Sequence, residues 1–246
     1  MFAHRQATFP SRLTSLRYLV LRDSRRPLHF LHLGKTGGTA VKHALLDYRE
    51  ISEYRLLLHG HDVLLSDLRR GEKVMFVVRD PLTRFVSAFN GRLHEDRPRY
   101  HYPWREDERI AFAVFKTPDQ LASSLSADDP AERIRAERAM RAIGHLNTSY
   151  WHWFGDEETF LSRRADLFFI GRQEHLSEDF ELLRLKLDLP EAARLPTDPV
   201  LAHRAPPGSA RQLSDVARGN LQRWYARDFA FVELCRELAP IVNVSE

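Results

Sequence analysis

One cysteine, Cys235, is present in 246 residues. This excludes an internal disulfide and any cysteine-rich metal site, and it predicts a reducing compartment, most simply the cytoplasm. Long apolar runs are also missing: none approaches the ~20 residues that a membrane-spanning helix needs. The first 26 residues are rich in arginine, and their one apolar cluster, 16–21, is interrupted by Arg17. They lack the h-region and cleavage site of a secretory signal. Their scarcity of acids is compatible with a transit peptide, but the pattern predicts an amphipathic helix at 11–21. A dense basic stripe is absent too. Lys and Arg number 37 against 34 Asp and Glu, a difference of three, and the two signs are interleaved. That pattern suits an anionic small ligand or an acidic acceptor, not a nucleic-acid tract. There is no internal repeat and no low-complexity tract.

What is present is the composition of a globular protein, at a length that fits one α/β domain, residues 1–246. Apolar and β-branched runs at 28–33, 51–58, 73–78 and 166–170 predict strands. Helical spacing follows 39–45 and 81–89 and recurs at roughly 106–115, 118–125, 130–143, 176–187 and 212–238, the last broken near Asp228. Asp80, Thr117 and Asp129 stand at N-cap positions. Strands alternating with helices predict an α/β fold with a parallel sheet flanked by helices. Residues 94–150 form a helical and loop insertion. Its first part, 94–108, is polar and aromatic-rich and is a candidate acceptor-binding lid. The cluster at 147–154, with Tyr150, Trp151 and Trp153, suits core packing better than base stacking.

Two stretches carry chemistry. In the first, a strand runs into Gly34, Lys35, Thr36, Gly37, Gly38 and Thr39, and a helix begins. The orphan N–H groups of a helix start, its dipole, a mobile cation and two hydroxyls together make an anion cradle. The lysine precedes the glycines, whereas a nucleoside-triphosphate loop carries it after them. The bland alternative is a plain strand-to-helix turn. In the second stretch, the buried run 73–78 ends in Arg79, and a helix begins at Pro81 with Ser87 two turns in. An arginine fork and a serine hydroxyl can hold a second phosphate. Alternatively, Arg79 pairs with Asp80 or Asp166 as structure.

Together these stretches resemble the two phosphate motifs of sulfotransferases, closest to the branch that holds the Golgi carbohydrate enzymes and their bacterial relatives. The likeness continues through residues 170–174 with Asp179 and Phe180, and through 225–229. It implies a P-loop-like α/β fold, 3′-phosphoadenosine-5′-phosphosulfate as donor, no metal requirement, and a glycan or other hydroxyl-bearing acceptor. It implies that Lys35 contacts the 5′-phosphate and the bridging oxygen. Gly34, Thr36, Gly37, Gly38 and Thr39 would complete that cradle, while Arg79 and Ser87 would hold the 3′-phosphate. The similar 2-O-uronyl-type enzymes carry a His-Gly-His with histidine as base, and this chain has His59, Gly60 and His61 after an apolar run. His61 is the expected general base and His59 its helper or rival, against the alternative that one of them only caps the strand. Metal binding by the pair is disfavoured because no nearby third ligand completes a site. His29 and His32 are expected to be structural, with His32 still able to line the pocket. In the C-terminal loop, Arg204 is a candidate further phosphate ligand. A small-molecule kinase and a non-catalytic nucleotide- or polyanion-binding module are the rival readings.

Overall fold

A computed structural model describes residues 25–51, 53–98, 100–198, 200–201 and 208–244. The expected helix at 11–21 and Arg204 lie outside these residues. Four strands, β1 (Arg26–Phe30), β2 (Tyr54–Leu58), β3 (Lys73–Val78) and β4 (Leu167–Arg172), form one sheet in the order β2-β1-β3-β4, with every neighbouring pair parallel. The helices are α1 (Gly38–Leu45), α2 (Pro81–Leu93), α3 (Glu106–Val114), α4 (Pro118–Ser123), α5 (Pro130–Ala142), α6 (Trp151–Phe154), α7 (Glu157–Ser162), α8 (Leu176–Lys186), α9 (Asp215–Trp224) and α10 (Ala226–Val244).

A parallel sheet must be covered on both faces, and β3 shows how the sequence meets that demand. Its residues alternate between two apolar clusters. Val74, Phe76 and Val78 pack with Phe154, Phe160 and Phe231 on one face. Met75 and Val77 pack with Val41, Leu45 and Phe180 on the other. A third cluster joins α2 to α5 and α9 through Phe85, Phe89, Phe112, Leu121, Met140 and Leu221. The helical insertion therefore has an apolar core of its own, anchored on α2.

The expected boundaries hold where the hydrogen-bond ladder and the apolar run end together, as in β3. They shift elsewhere. β1 stops at Phe30, although Leu31 and Leu33 are fully buried. Phe30 pairs with Leu58, the last residue of β2, so the ladder has no further partner on that side. β4 continues through Gly171 and Arg172 because both still pair with β3, at Val77 and Val78. The closing helical region breaks at Tyr225, between α9 and α10. Asp228 lies in α10 and accepts from the Tyr150 backbone N–H at 2.9 Å. The caps match expectation: Asp80 accepts from Thr83 N–H, Thr117 from Gln120 N–H and Asp129 from Ala131 N–H.

The chain leaves β1 to form β2 on one flank and returns to form β3 on the other. The reversal opens a crevice at the carboxyl ends of β1 and β3, the place where open α/β sheets take ligands.

Candidate active site

Both motifs meet at this crevice. Arg79 follows β3, and its Nη1 donates to the Lys35 carbonyl at 3.2 Å. The two cradles are therefore adjacent. Asp166, one of the expected structural partners of Arg79, instead accepts from Gly71 N–H and from Arg163.

Gly37 is the N-cap of α1 and sits at φ 89°, a left-handed conformation that glycine adopts without strain. Lys35, at φ 66°, adopts the same region with a side chain, so the loop coils tightly just before the helix. Among the described residues, the N–H groups of Lys35, Thr36 and Gly37 have no hydrogen-bond acceptor. They stand ahead of the α1 dipole, where an anion is stabilised. Thr36 differs from the expected donor hydroxyl. It is 1% exposed, and its Oγ1 donates to the Leu33 carbonyl at 3.0 Å, bracing the loop from within. Thr39 is half-buried.

Two glycines are fixed by histidines. A Cβ on Gly34 would lie 2.7 Å from His145 Nδ1, and one on Gly38 would lie 2.9 Å from His32 Nε2 and closer still to Cδ2. His32 thus packs on the anion loop, and its ring centroid is 4.0 Å from that of His61. His145, 5.6 Å from His61 edge to face, closes the other side. Sequence reading missed His145, which sits at φ 69° between α5 and Tyr150.

His61 has one fixed tautomer. Its Nδ1 is 2.7 Å from the His32 carbonyl, which can only accept, so Nδ1 carries the proton and Nε2 keeps the lone pair. The residue remains accessible to solvent, but the protein packed around the ring lowers its pKa from 6.5. Burial is the leading cause, the His32 carbonyl opposes it, and Lys42 and Lys35 add to the lowering. The same forces bring His145 down to about 3, burial first and then Lys35 and His61. At neutral pH both rings are uncharged. Trp153 Nε1 donates to the His61 carbonyl at 2.9 Å and holds this strand-end turn to α6.

His59 points elsewhere. It is 2% exposed, and its Nε2 lies 2.8 Å from Nδ1 of His29, with the two rings stacked 5.1 Å apart. Its carbonyl accepts from buried Lys42 at 2.8 Å.

Around Arg79, Nε donates to Thr83 Oγ1 at 3.0 Å. Thr83 and half-buried Ser87 are one turn apart on the same face of α2, the face that Arg79 reaches at Thr83. The Tyr150 hydroxyl donates to the Arg79 carbonyl at 2.7 Å and fixes the strand end. Arg84 belongs to the scaffold. It is 3% exposed, donates to the Gly34 carbonyl at 3.0 Å, pairs with Asp228 at 3.4 Å and lies 4.4 Å over the Tyr150 ring.

The root of the 94–108 segment is built into the protein. Arg92 binds Asp96 at 2.9 Å and Glu108 at 2.7 Å, and Trp104 Nε1 donates to the Arg92 carbonyl at 2.6 Å. Tyr100 and Tyr102 pack 5.7 Å apart near its outer edge, where Tyr102 is 57% exposed.

No helix among the described residues is long and apolar enough to cross a membrane, and no group of three metal-ligating side chains occurs among them. No curated protein matches the chain. A family model described as "Sulfotransferase family" matches residues 19–232. That span contains the 34–39 loop, Arg79 and all four strands, and the chain belongs to the sulfotransferase family, whose reaction is sulfuryl transfer.

Proposed function

We propose that this protein transfers a sulfuryl group from 3′-phosphoadenosine-5′-phosphosulfate to a hydroxyl of a carbohydrate or glycoconjugate, with His61 as general base. The observation that carries the reading is the hydrogen bond from Arg79 to the Lys35 carbonyl at 3.2 Å, which supports the use of both motifs by one nucleotide. In this reading the free N–H groups of the 34–39 loop, with Lys35, take the 5′ end. Arg79 and Ser87 take the 3′-phosphate that distinguishes this donor from ATP. The acceptor oxygen forms its bond to sulfur as the bond between sulfur and the 5′-phosphate oxygen breaks. The hydroxyl proton goes to His61 Nε2, and adenosine 3′,5′-bisphosphate leaves. By analogy with phosphoryl transfer, charge gathers on the leaving oxygen. A cation aimed there stabilises the transition state more than the ground state.

The lone pair on Nε2 and the neutral ring support His61 as base. His59, committed to His29 behind the strand, supports that turn. Exposed Tyr102, packed on half-buried Tyr100, offers a sugar ring a stacking surface beside charged side chains. A magnesium-dependent kinase would need a free aspartate at a strand end. Asp80 instead accepts from Thr83 N–H at 3.0 Å as a helix cap.

The test is thermal unfolding with adenosine 3′,5′-bisphosphate, ADP and ATP. The bisphosphate at about 100 times its Kd adds about 2.7 kcal/mol of stability, and ADP and ATP add markedly less. Equal stabilisation by ATP, or turnover of ATP with magnesium, refutes the donor assignment.

A further inference from the structure

The ammonium of Lys35 does not stand free over the loop. It is 9% exposed and lies 3.3 Å from Asp96 Oδ1. The other carboxylate oxygen, Oδ2, accepts from Arg92 Nη1 at 2.9 Å, and Arg92 is in turn held by both oxygens of Glu108, at 2.8 and 2.7 Å. Glu108 is fully buried and also accepts from the backbone of Gly144 and Arg105. A chain of alternating charges thus runs from the anion loop, through α2, to the first turn of α3.

Space for the ammonium comes from Gly91. A Cβ there would collide with Lys35 Nζ and lie 3.2 Å from Cε and 3.0 Å from Asp96 Oδ1. Gly91 sits inside α2, where glycine destabilises a helix by roughly 0.5–1 kcal/mol relative to alanine. Neither its own conformation nor a turn calls for it, but the lysine does.

Resting on the sulfuryl-transfer reading, we propose that Asp96 is a positioning residue for Lys35: held by Arg92 and Glu108, its carboxylate keeps the lysine ammonium charged and aimed in a slot that only glycine at position 91 leaves open. The groups that act on Lys35 are Asp96, Arg92 and Arg79, with the neutral rings of His61 and His145 close enough to feel its charge. Burial is the largest influence on Lys35 and lowers its pKa. Arg79 and Arg92 push the same way, and Asp96 opposes all three. Without the carboxylate, the opposing influence is gone, and burial and the two guanidinium groups lower the Lys35 pKa further. The root of the acceptor-side insertion thereby sets the charge at the donor end of the reaction.

The experiment measures Lys35 itself as well as turnover. Competitive labelling with acetic anhydride, read by mass spectrometry across pH, gives the titration midpoint of Lys35. In Asp96→Asn that midpoint drops by about one pH unit or more, and the alkaline limb of kcat moves down with it. Below the lowered midpoint, where Lys35 is still charged, the Kd of adenosine 3′,5′-bisphosphate stays within about threefold, and above it the affinity weakens as the ammonium is lost. Asp96→Glu restores the midpoint in part. In Gly91→Ala the only severe clash is with the flexible end of a lysine, so the chain folds. Turnover nonetheless falls by about tenfold or more. An unmoved Lys35 midpoint in Asp96→Asn, or full turnover in Gly91→Ala, overturns the proposal. If the parent protein transfers no sulfate from the donor, the functional reading fails instead, and the labelling midpoints still decide the role of Asp96.

Discussion

The stacked pair His29 and His59 makes the fold acid-labile in a calculable way. The two rings are 3% and 2% exposed, and each has its pKa brought down to about 4. Burial leads in both. For His29 the charge of Arg163 adds to it, and for His59 the neighbouring His29 does. Glu72 Oε2 is 3.3 Å from His29 Nε2, yet Nε2 has no hydrogen bond among the described residues. The carboxylate is too poorly aligned to offset the burial. The unfolded chain takes up these protons near pH 6.5, and the folded chain takes them up only near pH 4. Between those values the unfolded state binds more protons. The contribution of each ring is full above the unfolded pKa and is lost as pH falls toward the folded one.

For one ring, with pKa 6.5 unfolded and about 4 folded, linkage gives a loss of about 2 kcal/mol between pH 7.5 and 5.0, and about twice that for the pair if the rings titrate independently. Urea unfolding at the two pH values measures it. His29→Phe keeps a flat ring in the stack and removes one titrating group. Its absolute stability falls because His59 loses a partner, but its pH dependence shrinks by about 2 kcal/mol or more relative to the parent, since His59 also loses the neighbour that lowers its pKa. Other acid-sensitive groups, His145 among them, contribute equally to both proteins and cancel in the comparison. If parent and His29→Phe show the same pH dependence, the account of the pair is wrong.

Four further outcomes are expected. His61→Ala lowers kcat by about 10²- to 10⁴-fold with little change in the Kd of adenosine 3′,5′-bisphosphate. In the parent, the acid limb of kcat falls below pH 6.5, because the base must be neutral and its pKa is lowered. Calorimetric titration and a pH–rate profile check both, and loss of nucleotide affinity in His61→Ala refutes its role as base. Gly38→Ala drives a methyl into the His32 ring, so calorimetry should show about tenfold weaker binding of the bisphosphate or worse. Unchanged binding counts against the loop as the 5′ cradle. Asp228→Ala leaves the Arg84 charge buried and unpaired, a loss of about 3–5 kcal/mol in denaturant unfolding. A loss below about 1 kcal/mol shows that the Tyr150 ring and the backbone carbonyls suffice to hold Arg84.

Much of the scaffold is legible in the chain because its signals are local. The run 73–78 is apolar on both faces, as a central parallel strand must be, and it forms β3 at the expected bounds. Asp80, Thr117 and Asp129 cap helices through bonds spanning two or three residues. The strand-to-helix junctions at Lys35 and Arg79 likewise mark the crevice. Other features depend on contacts distant in sequence. His145 reaches Gly34 across more than a hundred residues, and nothing beside it marks the contact. Asp96 and Glu108 resemble solvated charges in a polar loop. Only the four-residue spacing of Arg92 and Asp96 hints that this segment is fastened down, and burial, which patterning cannot show, turns the pair into a fixed support. His59 and His61 are two positions apart, and strand alternation would put them on one face. The strand ends at Leu58, so the rule does not reach them, and one turns inward while the other stays at the crevice.

The two imidazole–glycine contacts bear on any effort to re-engineer the mouth of the crevice. Positions 32 and 38 share one space, and 34 and 145 share another, so a library that varies either glycine alone samples mostly collisions. Enlarging residue 38 becomes feasible only when residue 32 shrinks in the same variant, and the same holds for 34 with 145. Since His32 also supplies the carbonyl that sets the His61 tautomer, a backbone shift made to fit a new loop would be felt at the proton acceptor. In the proposed reaction, donor selectivity and base strength are therefore not independently adjustable.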